Sequence, residues 1–308
     1  MALLEDLELP LKATWKVQGN GTEVIWWPAR ATTEEKTVLF MIPGNPGVVE
    51  FYTPFLNTIY SELNEKIDIV GVSHLGHSKG EHDNSDGKVY SLDEQIAHKI
   101  DCLDMLHKRY PKNTRFILVG HSIGAFICEK VFKARPNLNI VRVFSLFPTI
   151  EHIADTPRGK QMRPLFRPEI RKIASALAQV LGFVHQPTLA FLIKTLTGQP
   201  KWGADLTARK FINFHAINNS LSLAAQEMNV VKDLNEAFYA RNLDIFVFYY
   251  GTIDGWVPVE RYLSLKDKLP EANAYLCQEK IPHEFVFEFP RVMGVKVSTW
   301  IIDLEKNM

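Results

Sequence analysis

Cysteine is scarce in this chain: three residues, Cys102, Cys128 and Cys277, among 308, an odd number with no C-x-x-C spacing. That arithmetic argues against a disulfide framework and offers zinc no ligand set, so the three read as reduced core residues in a cytosol-facing protein. An excess of one charge is lacking too. Lys+Arg and Asp+Glu stand equal at 35 each and no block of basic residues occurs, so nucleic acid is not an expected partner. The opening stretch, Met1 to Pro10, is acidic and too weakly apolar to read as a secretory signal. Also missing is a long unbroken apolar run. The nearest approach, Ile173 to Ile193, contains no Asp, Glu, Lys or Arg but is interrupted by Ser175, Gln179, His185, Gln186 and Pro187. A helical hairpin fits it better than a membrane span.

What is present is the composition of one large α/β domain, with 46% hydrophobic residues, ample for a sizeable core. Short apolar runs alternate with helical patterns as they do in βαβ units. Residues 11–18 and 22–27 are expected to form an antiparallel pair, with buried strands at 37–42, 67–73, 115–120, 141–147 and 243–250 and a last one near 273–278. Helices are expected over 49–64, 91–109, 123–134, 257–269 and 292–304. The pattern predicts an α/β fold, a mostly parallel sheet flanked by helices, with sites at the carboxyl ends of the strands. The rhythm breaks once, between Pro148 and Arg241, where no strand is evident. Residues 148–241 therefore read as a helical cap inserted between two parts of one core, 1–147 and 242–308.

The string Gly120-His-Ser-Ile-Gly124 lies directly behind an apolar strand and ahead of a helix, which puts Ser122 on a sharp strand-to-helix turn. So tight a turn needs small residues two positions to either side of the serine, and the result is an exposed nucleophile. A serine nucleophile needs a base and an acid to orient it, following later in the chain in the order acid, then histidine. Of ten histidines only His152, His185, His215 and His283 follow Ser122, and the first three fall in the cap. That leaves His283, just beyond the last strand, as the candidate base. Asp254, in the loop after the strand at 243–250, is the candidate acid, with Asp244 next in line; a turn-former or helix cap would also suit Asp254. Two backbone N–H groups would hold the oxyanion, one from Ile123 and one from Asn45 in the loop Pro43-Gly-Asn-Pro-Gly47, where Pro46 has no N–H to give. No cofactor or metal is called for. The histidine pair in Ser73-His-Leu-Gly-His-Ser78 finds no third ligand at a convincing spacing, and the stretch from Glu81 to Gly87 reads as a polar loop.

Beyond the serine motif, the strings Ile42-Pro-Gly-Asn-Pro-Gly47 with Phe51-Tyr52, Leu146-Phe-Pro-Thr-Ile-Glu151, Gln226-Glu-Met228, Tyr249-Tyr-Gly-Thr-Ile-Asp254 and Ile281-Pro-His283 span nearly the whole chain. Together they resemble the lipid droplet-associated serine hydrolases. The resemblance implies the α/β-hydrolase fold, Ser122 as nucleophile, Asp254 as acid and His283 as base. It also implies neutral lipid esters, sterol esters in particular, as substrates, and lipid droplets and the cytosolic face of the endoplasmic reticulum as the location. Three functions share these residues: a lipid esterase, a thioesterase using the same triad, and a lipid-surface scaffold with weak turnover. The cap has two readings of its own, a roof packed over an acyl site or a hairpin that dips into a droplet monolayer or membrane surface.

Overall fold

The computed structural model describes residues 8–30, 35–78 and 87–306. The chain's first seven residues and the polar loop from Glu81 to Asp86 lie outside them. Eight strands, β1 (Leu11–Val17), β2 (Asn20–Trp27), β3 (Thr37–Ile42), β4 (Asp68–Val72), β5 (Arg115–His121), β6 (Ile140–Leu146), β7 (Phe246–Tyr250) and β8 (Asn273–Leu276), form one sheet. Its order is β1-β2-β4-β3-β5-β6-β7-β8. Only the β1–β2 and β2–β4 pairings are antiparallel; β4-β3-β5-β6-β7-β8 run parallel. The sequence Thr-Val-Leu-Phe-Met-Ile of β3 is buried throughout, as an interior parallel strand requires, because helices cover both faces.

The period of two along β3 sorts its side chains. Val38, Phe40 and Ile42 join one apolar core and Leu39 and Met41 the other. The first core is covered by α2 (Leu92–Arg109) and α3 (Ile123–Ala134), the second by α1 (Thr53–Glu62), preceded by a 3-10 turn at Val49–Tyr52. Helix α2 starts where its sequence says it should. The Ser91 hydroxyl accepts from the Glu94 N–H at 3.2 Å while the Glu94 carboxylate accepts from the Ser91 N–H at 2.8 Å, satisfying two amides that no helical carbonyl reaches.

Between β6 and β7 lie α4 (Pro157–Met162), α5 (Pro168–Leu181), α6 (Gln186–Thr197), α7 (Lys201–Leu206), α8 (Phe214–Val230) and α9 (Glu236–Ala240). These are not all a layer above the sheet. Leu223 of α8, and Leu234, Phe238 and Tyr239 at α9, pack into the first core alongside Phe246 and Phe248. After β7 come α10 (Val259–Lys268), α11 (Phe285–Glu288) and α12 (Pro290–Lys306), the last burying Met293, Val297 and Ile301 in the second core. Leu243, apolar but ahead of β7, sits in a turn closed by the Ile245 N–H to Asn242 O bond, which delays the strand to Phe246.

Candidate active site

Three strands end at the same edge of the sheet and each delivers one polar group. Ser122 follows β5 with φ 54° and ψ −122°, a backbone conformation that L residues rarely adopt. The flanking glycines make it possible. A Cβ on Gly120 would lie 2.5 Å from the backbone of Gly124, and one on Gly124 would lie 2.3 Å from the carbonyl oxygen of Ile42, so any larger residue would force the turn apart. Asp254 follows β7, and His283 follows β8. The Asp254 Oδ2 lies 2.6 Å from His283 Nδ1, and His283 Nε2 lies 2.9 Å from Ser122 Oγ. The carboxylate can only accept, so Nδ1 donates to it, and in the neutral ring Nε2 keeps a lone pair facing the serine hydroxyl.

Asp254 also serves as the turn-former that its loop invites. Its Oδ1 accepts from the N–H groups of Trp256 at 2.7 Å and Val257 at 2.9 Å, which fixes the carboxylate before the histidine is considered. Asp244 precedes β7 and so lies at the strand's opposite end, exposed, with its carbonyl taken by Arg142. Burial works against a charged His283, yet the charge and hydrogen bond of Asp254, with Glu284 and Glu227 adding to them, raise its pKa above 6.5.

Asn45 and Ile123 lie at the same edge. Ile123 opens α3, where no preceding turn offers its N–H a carbonyl. The loop carrying Asn45 comes close to Ser122: a Cβ on Gly44 would lie 3.1 Å from the Ser122 Cβ. The Gly44 N–H itself is occupied, donating to Tyr52 Oη at 2.8 Å. Above this floor is a cavity of about 210 Å³ lined by Tyr52, Phe166, Leu221, Trp256, Val286 and Phe287 beside Ser122 and His283.

A sequence-family model described as lipid-droplet associated hydrolase matches residues 35–286. The chain belongs to the lipid droplet-associated hydrolase family. A relative of that name from Mus musculus is 34% identical over 284 residues, 87% of this chain and 86% of its own. One from Dictyostelium discoideum is 27% identical over the full length of both. Among solved structures, a haloalkane dehalogenase from Bradyrhizobium elkani superposes with a TM-score of 0.70 at 15% identity, covering 97% of this chain and 99% of its own. A putative lipase from Acinetobacter baumannii gives 0.63 at 14% identity, with 97% and 93% covered. Likeness at that level concerns the fold, which is that of the α/β-hydrolases, and the protein is a hydrolase.

Sequence reasoning missed four residues at this site of the hydrolase. His121 and Tyr52 bridge its loops: Tyr52 Oη lies 2.6 Å from His121 Nδ1, and His121 Nε2 lies 2.9 Å from the carbonyl oxygen of His283. A carbonyl only accepts, so Nε2 carries the proton and Nδ1 accepts from the tyrosine. Burial, and then the neighbouring His283 charge, push the His121 pKa well below 6.5 and keep it neutral. The others, Ser220 and Glu227, come from α8 and touch Asn45. Gln226-Glu-Met228 and Phe51-Tyr52 were visible as strings, but nothing in them says what they face. The histidine pair after β4 supports the Asn45 loop from behind, because His77 Nδ1 accepts the Gly47 N–H at 3.0 Å.

Proposed function

We propose that this hydrolase cleaves carboxylic esters of lipids, sterol esters or other neutral lipid esters, with Ser122 as nucleophile, His283 as general base and Asp254 as the acid that orients it. The observation that carries the reading is the hydrogen-bonded run from Asp254 through His283 to Ser122 at the floor of an apolar cavity. His283 takes the Ser122 proton as Oγ attacks the ester carbonyl, and the Ile123 and Asn45 amides hold the oxyanion. His283 then protonates the departing alcohol, and water, activated in turn by His283, frees the acyl-enzyme. At about 210 Å³ the cavity is smaller than the roughly 300–1,000 Å³ of sites that enclose a drug-sized ligand, so it suits an acyl segment and leaves the bulk of a lipid ester outside.

A fluorophosphonate probe tests the assignment, with labelling expected at Ser122 and abolished in Ser122→Ala. A folded wild-type chain that does not label would favour the scaffold reading. Because only neutral His283 can accept the serine proton, kcat/KM on a soluble short ester should fall as pH drops, with a midpoint above 6.5. A profile flat from about pH 5 to 8 would remove histidine deprotonation from the mechanism.

The place of action in this proposal is the surface of lipid droplets or of the endoplasmic reticulum, reached from the cytosolic side through the α5–α6 hairpin. Several observations support it. Helix α5 buries the small residues Ser175 and Ala178, while Ile173, Leu177 and Val180 are 57–65% exposed. Phe183, Phe191 and Leu196 continue the exposed apolar face at 81%, 66% and 83%. An amphipathic helix in water turns its large apolar residues inward, and the opposite orientation suits a lipid interface. Among the described residues, no helix is long and apolar enough to cross a membrane. The names of the relatives, lipid droplet-associated hydrolases, point the same way. Leu177→Asp with Phe191→Asp should shift the protein from droplets to cytosol, since a charge within the apolar layer costs up to about 3 kcal/mol. Hydrolysis of a small soluble ester should stay within about twofold of wild type, because exposed positions away from the site rarely affect stability. A double mutant that remains on droplets would place the anchor elsewhere.

A further inference from the structure

Asn45 is held by the cap rather than by its own loop. Its side-chain Nδ2 donates to the carbonyl oxygen of Ser220 at 2.9 Å and to Glu227 Oε1 at 3.0 Å, and its Oδ1 accepts from Ser220 Oγ at 2.6 Å. The orientation of the amide is forced, because the Ser220 carbonyl has no hydrogen to give. Both amide hydrogens and the amide oxygen are thus engaged by one helix, α8, whose residues lie about 180 positions away in sequence. That helix is itself tied to the core. Asn219 Oδ1 accepts the Tyr90 N–H, Asn219 Nδ2 donates to Lys88 O, and Gln226 Oε1 accepts the Leu92 N–H at the start of α2. Glu227 is buried in the cavity wall, an expensive place for a carboxyl unless its hydrogen bonds serve a purpose. Burial raises its pKa to about 7, opposed by the Asn45 bond and by the His283 charge, and its Oε1 accepts from Asn45 in either protonation state.

We infer that Glu227 and Ser220 are positioning residues for the reaction proposed above: by gripping the Asn45 side chain they aim its backbone N–H at the oxyanion, so that the oxyanion hole is assembled jointly by core and cap. The inference rests on the serine-hydrolase reading of the site.

The test uses the full chain, p-nitrophenyl butyrate and a fluorophosphonate probe. Glu227→Ala should lower kcat and the labelling rate about 10-fold to 100-fold with KM within about twofold, less than the roughly 10²–10³-fold that follows loss of a whole oxyanion donor. Glu227→Gln keeps the acceptor and should recover most of that loss. Ser220→Ala, a small change at a half-buried position, should lower kcat in the same sense and covers the possibility that Glu227→Ala folds poorly. The deciding measurement is a double-mutant cycle: in an Asn45→Ala background, Glu227→Ala should have almost no further effect. An undiminished effect in that background, or a rise in KM with kcat unchanged, would overturn the inference while leaving the nucleophile assignment standing. A folded wild-type chain inert to both ester and probe would overturn the reading of the site and this inference with it.

Discussion

Ser122→Ala is expected to lower ester hydrolysis by about 10⁴-fold to 10⁶-fold, and Ser122→Ala/His283→Ala to be no slower than the worse single variant. The reason lies in the geometry. With Nε2 2.9 Å from Oγ, the imidazole has one proton to collect, and without the serine it has nothing to activate. Groups that act as one unit do not contribute separately, so their losses overlap. The fold should tolerate the change: Ser122 occupies φ 54° whatever its side chain, because Gly120 and Gly124 set the turn. Initial rates on a soluble ester, with circular dichroism melts for each variant, provide the check. A double variant much slower than either single would mean that the two residues act in separate steps.

Asp254→Asn should cost about 10⁴-fold in kcat while leaving the protein folded. Oδ1 accepts from the Trp256 and Val257 amides, so an asparagine keeps its carbonyl oxygen there and turns its NH₂ toward His283. Nδ1 must then accept, the imidazole proton moves to Nε2, and Nε2 can no longer take a proton from Ser122. The carboxylate charge is lost as well, so any residual activity should show its midpoint at lower pH than wild type, since Asp254 is among the groups that raise the His283 pKa. Near-normal turnover would assign the acid's part to another group. Asp244 could take it only if the loop ahead of β7 moved, because that residue lies at the opposite end of the strand.

The order of elements in the core was legible because each strand and helix announces itself locally. The apolar run 38–42 and the helical pattern over 91–109 depend on residues a few positions apart, and the structure has β3 at Thr37–Ile42 and α2 at Leu92–Arg109. The expected helix over 49–64 divides into a 3-10 turn and α1, with Pro54 in the first turn of α1, where its missing N–H leaves no helical bond unmade. The hairpin expected around Pro187 has its turn at Gly182–His185, and the proline opens the second helix. The serine motif selected Ser122, and chain order with position after a strand then selected Asp254 and His283 as candidates, since parallel strands deliver their following loops to one edge.

Other features belong to the tertiary structure. That Glu227 and Ser220 grip Asn45, and that His121 and Tyr52 connect the loops of Gly44 and His283, follows from contacts across 8 to 182 positions, for which no local spacing carries a signal. The cap poses the same problem in another form. From the sequence, Ile173, Leu177 and Val180 are a helix's apolar stripe and nothing more, fit either to pack on the core or to face lipid. The direction of that stripe was decided by packing: α5 lies against α8 with the small Ser175 and Ala178 buried and the larger side chains turned outward. Periodicity specifies that a helix has two faces; which face meets the rest of the protein depends on the shape of the partner helix, and that shape exists only once the chain has folded.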